Sequence, residues 1–155
     1  MTMITRRHLI GFSGAILTAL LPLRAEARPA IHVAKDPDCG CCGAWIQILK
    51  GEGFDVTVEM MGYDDLKAYK ARNGVPEALA SCHTARIAGY AIEGHVPVAD
   101  IRRLLAERPE AVGLSVPGMP LGSPGMGPET ERVAYDVMLI LKDGSAQVFT
   151  RYAAA

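Results

Sequence analysis

A cluster of three cysteines lies where a strand pattern gives way to a helix pattern. Cys39, Cys41 and Cys42 follow residues 30–34, which are typical of a short strand. Behind the cysteines, an apolar stripe at i, i+3 and i+4 predicts a helix over residues 42–50. Backbone N–H groups at the start of a helix favour the thiolate form of a cysteine. The turn is therefore expected to hold reactive sulfur.

The later patterns alternate between helix and strand. Period-two alternation and short apolar runs predict strands over residues 54–60, 85–88, 90–93, 112–116, 133–141 and 147–152. The first of these strands is expected to be half-buried. Two further helices are predicted over residues 64–73 and 97–108, and residues 117–128 are too rich in glycine and proline to form one. These patterns indicate an α/β fold with a mixed sheet, flanking helices and a C-terminal β-hairpin.

The first 27 residues have the features of an export signal peptide. Arg6 and Arg7 precede an uncharged run over residues 8–23, and Ala25-Glu26-Ala27 fits the small-x-small pattern cut by signal peptidase. We expect cleavage after Ala27, a single domain over residues 28–155 and a periplasmic location. The uncharged run is shorter than the roughly 20 residues that span a membrane, so no stable membrane anchor is expected. The arginine pair also resembles a twin-arginine signal, and the Sec route remains open beside it.

The charge of the chain argues against a nucleic-acid partner. The 155 residues include 16 basic and 17 acidic side chains, and no basic run extends beyond two residues. A hydrophobic content of 50% suits one ordinary globular domain. All four cysteines lie in the exported part, where the compartment is oxidising. Each cysteine then needs either a bonding partner or a chemical role.

Cys39 and Cys42 form a C-x-x-C pair, which serves two chemistries. A thiolate is the nucleophile in disulfide exchange and also the ligand for a soft metal ion, and spacing alone does not separate these roles. A third interpretation is structural, because Cys39 or Cys42 bonded to Cys82 would staple a small exported domain. A zinc site has less support, since the chain has no second C-x-x-C and no H-x-x-x-H.

Two histidines and two methionines extend the set of candidate ligands. His83 directly follows Cys82, and His95 comes at the end of the predicted strand pair, so both can reach the cysteine turn. Met119 and Met126 lie in the glycine-rich loop. A thioether combined with thiolate and imidazole selects copper, as Cu(I), over zinc, calcium or magnesium. The alternative is that both methionines fill a gap beneath the loop.

Four motifs in a fixed order make the chain similar to a known family. They are Cys-Gly-Cys-Cys at 39–42, Ser-Cys-His-Thr at 81–84, Glu-Gly-His-Val-Pro at 93–97 and Pro-Gly-Met-Pro-x-Gly-Ser-Pro-Gly-Met at 117–126. Together with the export signal, they resemble the CopG-like family of periplasmic copper-resistance proteins, also described as a metal-binding domain of unknown function. The resemblance extends from about residue 31 to residue 152 and implies a thioredoxin-like fold.

The resemblance also implies where a metal ion is held. Cys39, Cys42 and Cys82 match the motif positions and are expected to bind Cu(I). The resemblance also implies additional ligands, or groups that support the ligands, at five further positions: Cys41, His83, His95, Met119 and Met126. One departure from ordinary thioredoxins is that no proline immediately precedes residues 81–85. In that fold a cis-proline frames the groove that binds a redox substrate. This sequence has no proline at the corresponding position.

Three functions remain open. The first is a periplasmic protein that binds Cu(I) and sequesters it, passes it to other periplasmic copper-handling proteins or cycles it between oxidation states. Clustered thiolates make bridging feasible, so several sulfurs can hold more than one copper ion between them. The rival is a thiol-disulfide oxidoreductase in which Cys39 attacks and Cys42 resolves the intermediate. The third is an exported domain that is stapled by disulfides and binds another protein.

Overall fold

The computed structural model describes residues 27–155, so the predicted signal peptide lies outside the described residues except for Ala27. The helices of this range are α1 (Gly40–Gly51), α2 (Tyr63–Arg72) and α3 (Val98–Glu107). The strands are β1 (Ala30–Lys35), β2 (Asp55–Met60), β3 (His83–Ile87), β4 (Tyr90–Glu93), β5 (Ala111–Ser115), β6 (Tyr135–Leu141) and β7 (Ala146–Tyr152). Within residues 27–155, no helix has the length and apolar character needed to cross a membrane.

The seven strands form one mixed sheet in the order β2-β1-β3-β4-β5-β6-β7. β1 is parallel to β2 and β4 is parallel to β5, while the other neighbouring pairs are antiparallel. Each parallel pair is connected through a helix, α1 or α3, because parallel neighbours need a crossover. β6 and β7 form the C-terminal hairpin. The predicted mixed α/β fold with flanking helices is therefore confirmed, and the narrower thioredoxin-like assignment stays a prediction.

The main core forms where α1 and α3 pack on the sheet. Trp45 and Leu49 lie one turn apart on α1, as Ile101 and Leu104 do on α3, and all four side chains are fully buried. They belong to one apolar cluster with inward side chains of the strands, including Ile92. The periodicities that predicted these helices thus mark the faces that hold them against the sheet, except that Ile48 of the predicted α1 stripe is 37% exposed.

Several strand ends meet at one edge of the sheet. β1 ends beside the start of β3, because Lys35 pairs with His83. The Gly94 N–H, just after β4, donates to the His83 carbonyl at 3.0 Å. β5 ends beside the end of β4, because Ser115 pairs with Glu93. The segments attached to these strand ends carry the four sequence motifs, so the topology brings the motifs to a single edge.

The structure corrects the prediction of a half-buried strand over residues 54–60. Only Phe54, which precedes β2, is buried, and Val58 and Met60 are 39% and 59% exposed. β2 is the terminal strand of the sheet and has a neighbour on one side alone. Alternation of apolar and polar residues predicted the strand correctly, but it does not show whether another layer covers the apolar face.

Candidate metal centre

The start of α1 positions the cysteine turn. Cys39 is the N-cap residue, and the helix begins at Gly40, two residues earlier than predicted. The Cys39 N–H donates to the Asp36 carbonyl at 3.1 Å, which closes the turn after β1. Cys41 and Cys42 therefore lie in the first helical turn, at the positive end of the helix dipole.

Cys39 and Cys42 are joined in a disulfide, and the thiols of Cys41 and Cys82 are free. The pairing with Cys82 considered above is therefore not the one present. The Cys41 sulfur lies 3.6 Å from the Cys39 sulfur, and all four sulfur atoms lie within 4.8 Å of one another. In this oxidised state two thiols are available to a metal ion. The four-sulfur set becomes available when the disulfide is reduced.

Cys82 also belongs to a second group of ligand atoms. Its sulfur lies 3.3 Å from Nδ1 of His83 and 3.1 Å from Nε2 of His95. Burial, and next the proximity of Cys41, raises the pKa of the Cys82 thiol to about 11. The thiol is therefore protonated at neutral pH, and a soft cation that binds the sulfur must displace this proton.

A backbone contact fixes the proton of His95. Its Nδ1 lies 2.8 Å from the Pro124 carbonyl oxygen, which can only accept a hydrogen bond, so Nδ1 carries the proton. Burial lowers the pKa of His95 and favours the neutral ring. The lone pair of Nε2 then points towards the sulfur of Cys82. A neutral imidazole held in this way by a backbone carbonyl is the arrangement typical of metal-ligating histidines.

The ring of His83 is enclosed by other aromatic rings of the centre. The side chain is fully buried, and its ring lies 4.4 Å from that of Trp45 and 5.2 Å from that of His95, centroid to centroid. Burial, followed by the neighbouring His95 and Lys70, holds the pKa of His83 well below its usual value. Its Nε2 has no hydrogen-bond partner among the described residues. When the Nδ1 lone pair of the neutral ring faces the Cys82 sulfur, Nε2 carries the proton and is a buried donor without a partner, which is uncommon in proteins.

The methionine loop, residues 117–128, packs against the cysteine turn. The Ser81 hydroxyl donates to the Gly118 carbonyl and ties the loop to the segment before Cys82. Gly125 has a φ of +85°, and a Cβ at this position would lie 2.8 Å from the backbone nitrogen of Trp45. The loop can approach the backbone of α1 this closely because residue 125 has no side chain.

The two methionines of this loop have different surroundings. The sulfur of Met119 lies 4.0 Å from the sulfur of Cys41, although its side chain is 54% exposed. Met126 is half-buried, and its described contacts are backbone hydrogen bonds with Ser123 and Gly122, each 2.8 Å long. The structure therefore brings Met119 to the sulfur cluster together with six other predicted residues: Cys39, Cys41, Cys42, Cys82, His83 and His95. It assigns Met126 a place in the turn of the loop.

A buried polar network supports Cys82, and sequence reasoning missed it. The Glu93 carboxylate is fully buried and accepts hydrogen bonds, each 2.6 Å long, from the Lys70 ammonium, the Thr84 hydroxyl and the Ser81 N–H. Burial raises the pKa of Glu93, and the charge of Lys70 opposes this shift. The bond to Ser81 fixes the backbone directly before Cys82. The available signal was an acidic residue that ends the apolar run of β4.

Comparison with solved structures identifies relatives with the same fold. Two of them are described as "Copper resistance protein copG- Form 1" and "Copper resistance protein copG- Form 2". The first is 46% identical, with a TM-score of 0.76 over 82% of this chain and 100% of the solved chain. The second is also 46% identical, with a TM-score of 0.74 over 81% of this chain and 98% of the solved chain. The chain belongs to the CopG family.

The CopG resemblance predicted from the four motifs is thus confirmed. A family model described as "Protein of unknown function, DUF411" also matches residues 79–126. These residues span the Ser-Cys-His-Thr, Glu-Gly-His-Val-Pro and methionine-loop motifs. A search of curated proteins found no match. The family assignment therefore rests on the solved CopG structures and on motifs that this chain brings to one edge of its sheet.

Proposed function

We propose that this chain is a periplasmic Cu(I)-binding protein of thioredoxin-like fold, which contributes to copper resistance by sequestering the ion or passing it on. The position of Cys82 carries the proposal. Its sulfur lies with three other cysteine sulfurs inside 4.8 Å and has imidazole nitrogens at 3.1 and 3.3 Å. Thiolate, thioether and imidazole together favour Cu(I) over magnesium or calcium. The solved relatives are named copper resistance proteins, which agrees with this chemistry.

Cys82 belongs to two groups of candidate ligands, which extends the proposal to more than one copper ion. This sulfur is common to the four-cysteine group and to the group with His83 and His95. A thiolate has lone pairs for two metal ions, so Cys82 is suited to bridge them. Because Cu(I) and Cu(II) differ in preferred ligands and geometry, a centre with both sulfur and imidazole donors also supports redox cycling. Other periplasmic copper-handling proteins are the proposed donors or acceptors of the ion.

An anaerobic Cu(I) titration of the reduced protein against a chromophoric competitor tests this function. We expect tight, stoichiometric binding that protects the thiols from alkylation. The Cys39→Ser/Cys42→Ser double variant and the Cys82→Ser variant should lose high-affinity uptake. A His32→Ala variant is the control, because His32 lies on β1 and pairs with Glu59 at 3.1 Å. Unchanged stoichiometry in both cysteine variants would contradict the assignment of the site.

Export is a separate part of the proposal and has its own test. We propose that residues 1–27 direct the chain to the periplasm and are removed there. Cell fractionation should find the protein in the periplasm, and its mass should correspond to a chain that begins at residue 28. Replacing Arg6 and Arg7 together by lysine should block export if the twin-arginine route is used. Intact export of this variant would assign the chain to the Sec route instead.

The Cys39–Cys42 disulfide favours one alternative, a thiol-disulfide oxidoreductase. In that case Cys39 is the attacking sulfur, Cys42 resolves the intermediate and copper is not required. Metal-free protein would then catalyse insulin reduction by a dithiol, and added Cu(I) would only inhibit it. Copper binding without such turnover favours the first proposal, and the two assays together separate the two functions.

A further inference from the structure

A cleft of about 550 Å³ opens beside the disulfide. It lies between α2, the turn after β1 and residues 77–82, with Leu66 and Val75 among its apolar lining residues. Cys39 and Cys82 line the wall of the cleft, whereas the fully buried Cys42 does not. A reagent that enters this cleft therefore meets the Cys39 side of the disulfide and not the Cys42 side.

The positive side chains that line the cleft form ion pairs, whereas two of the negative ones do not. Both lining lysines form ion pairs, Lys67 with Glu77 at 3.0 Å and Lys70 with Glu93 at 2.6 Å. The lining carboxylates of Asp36 and Asp38 form no ion pair with the described residues. The buried Lys35 ammonium lies close by and donates to the backbone carbonyls of Asp36 and Pro37 at 2.7 and 3.4 Å.

Two unpaired carboxylates against one nearby ammonium leave a net negative charge, so the cleft combines an apolar lining with an acidic rim. Its volume is within the range of about 300–1,000 Å³ that holds small ligands or a few residues of peptide. An acidic rim attracts cationic ligands, accepts neutral ones and repels anionic ones. A thiol that carries several negative charges is for this reason a poor match.

We propose that this cleft is the docking site for a neutral or cationic cysteine-containing segment of a dithiol partner protein, which reduces the Cys39–Cys42 disulfide. Docking places the partner's thiolate against the sulfur of Cys39, the accessible side of the bond. Reduction then frees both cysteines of the turn. This inference goes beyond copper binding, because the reduction step takes place in the metal-free protein.

The exchange balances in two steps. The partner's first thiolate forms a bond to the Cys39 sulfur, the Cys39–Cys42 bond breaks, and its electron pair leaves on Cys42 as a thiolate. The start of α1 favours this charge. The partner's second thiolate then attacks the partner's sulfur in the mixed disulfide and releases Cys39 as a thiolate. The partner dithiol loses two electrons and becomes a disulfide, and the chain gains the same two.

Reduction kinetics of the oxidised, metal-free protein test the docking. The probes are three short cysteine peptides of equal length with two lysines, two neutral residues or two glutamates, compared at equal thiolate concentration. We expect rates that saturate with the lysine and neutral peptides, and a lysine-over-glutamate advantage of roughly tenfold that shrinks as salt is added. Rates that rise linearly with concentration and do not depend on peptide charge would overturn the proposal.

A pair of tryptophan variants locates the contact. Ala71 lines the cleft on α2, whereas Ala68 lies three residues earlier on the same helix and does not line it; both are exposed. Ala71→Trp should slow reduction by the lysine peptide about tenfold, because the indole blocks the cleft and removes the rate advantage that docking gives. Reduction by 2-mercaptoethanol should keep its rate, and Ala68→Trp should resemble the unsubstituted chain. Equal effects of the two tryptophans on the peptide rate would contradict docking in this cleft.

A second, milder variant keeps the test decisive if the tryptophan perturbs α2. Asp38→Asn should remove much of the advantage of the lysine peptide, while Asp55→Asn on β2 should leave it unchanged. Cu(I) titration of each variant after chemical reduction separates the two proposals. A variant that retains copper binding but has altered peptide kinetics supports docking in the cleft. A variant that loses copper binding but keeps normal peptide kinetics contradicts a role of its residue in docking and bears only on the metal centre.

Discussion

Burial keeps both imidazoles of the centre neutral. The Pro124 carbonyl fixes the proton of His95 on Nδ1, although this hydrogen bond by itself raises the pKa of His95. In both cases a nitrogen near the Cys82 sulfur can donate a lone pair to an incoming ion. The side chains are thus arranged before the metal arrives, which limits the reorganisation that binding requires.

Met119 provides a prediction at the residue scale. Met119→Leu should weaken Cu(I) binding roughly 10- to 100-fold, the range found for groups that support a metal site. Stability should hardly change, because the side chain is 54% exposed. Met60→Leu is the matched control, since Met60 is 59% exposed and its sulfur contacts the Lys35 ammonium rather than a cysteine. Equal affinities of the two variants in the competitor titration would remove Met119 from the ligand set.

The methionine loop and α1 act as one element of the centre. Gly125 lies directly on the backbone of α1, and Ser81 binds the other part of the loop through the Gly118 carbonyl. The loop also supplies the Pro124 carbonyl that orients His95. Displacing the loop should therefore disturb imidazole and thioether donors together.

A pair of glycine variants tests this coupling. Gly125 and Gly144 both have a φ of +85°, but a Cβ at Gly144 meets open space. Each alanine variant should lose about 1–2 kcal/mol of unfolding free energy through the left-handed conformation. Gly125→Ala should lose about 1–3 kcal/mol more by overpacking against α1, and its Cu(I) affinity should fall. Urea denaturation and the competitor titration measure both effects, and matching results for the two variants would argue against the coupling.

The strand ends of β3 and β4 depend on the Glu93 network. Glu93→Gln should cost about 3–5 kcal/mol, because breaking a buried pair leaves the Lys70 charge uncompensated. Cu(I) binding should also weaken, since Glu93 holds the backbone before Cys82. Glu77→Gln is the control, because the Lys67–Glu77 pair is exposed and little change is expected. Denaturant titration compares the variants, and a small effect at Glu93 would mean that the carboxylate is dispensable for the fold.

At the scale of the whole molecule, sequence periodicity predicted more of the fold than of the centre. The apolar stripes of α1 and α3 predicted both helices, because those faces bury side chains such as Trp45 and Leu104. The exposure of β2 was not predictable, since alternation does not reveal what covers a strand. Motifs identified the candidate ligands, but the Lys70–Glu93 pair joins residues 23 positions apart and needed the fold to be known.

Reduction of the disulfide links the metal centre to the stability of the whole chain. The Cys39–Cys42 bond closes a very short loop, so its loss should lower the unfolding free energy by only about 2 kcal/mol on the loop-entropy relation. The core cluster that contains Trp45, Leu49, Ile101 and Leu104 includes neither cysteine of this bond. We therefore expect the reduced, metal-free protein to remain folded and to unfold at a somewhat lower temperature than the oxidised protein.

Copper should reverse this loss in the reduced protein. A free Cu(I) concentration one hundred times the dissociation constant adds about 2.7 kcal/mol to the unfolding free energy, less any binding to the unfolded cysteines. The oxidised protein offers two thiols instead of four and should gain less. Anaerobic thermal unfolding of both redox forms, with Cu(I) buffered by a competitor, measures the difference. An equal gain in both forms would mean that Cys39 and Cys42 contribute nothing to the affinity and that Cys41, Cys82 and the imidazoles hold the ion.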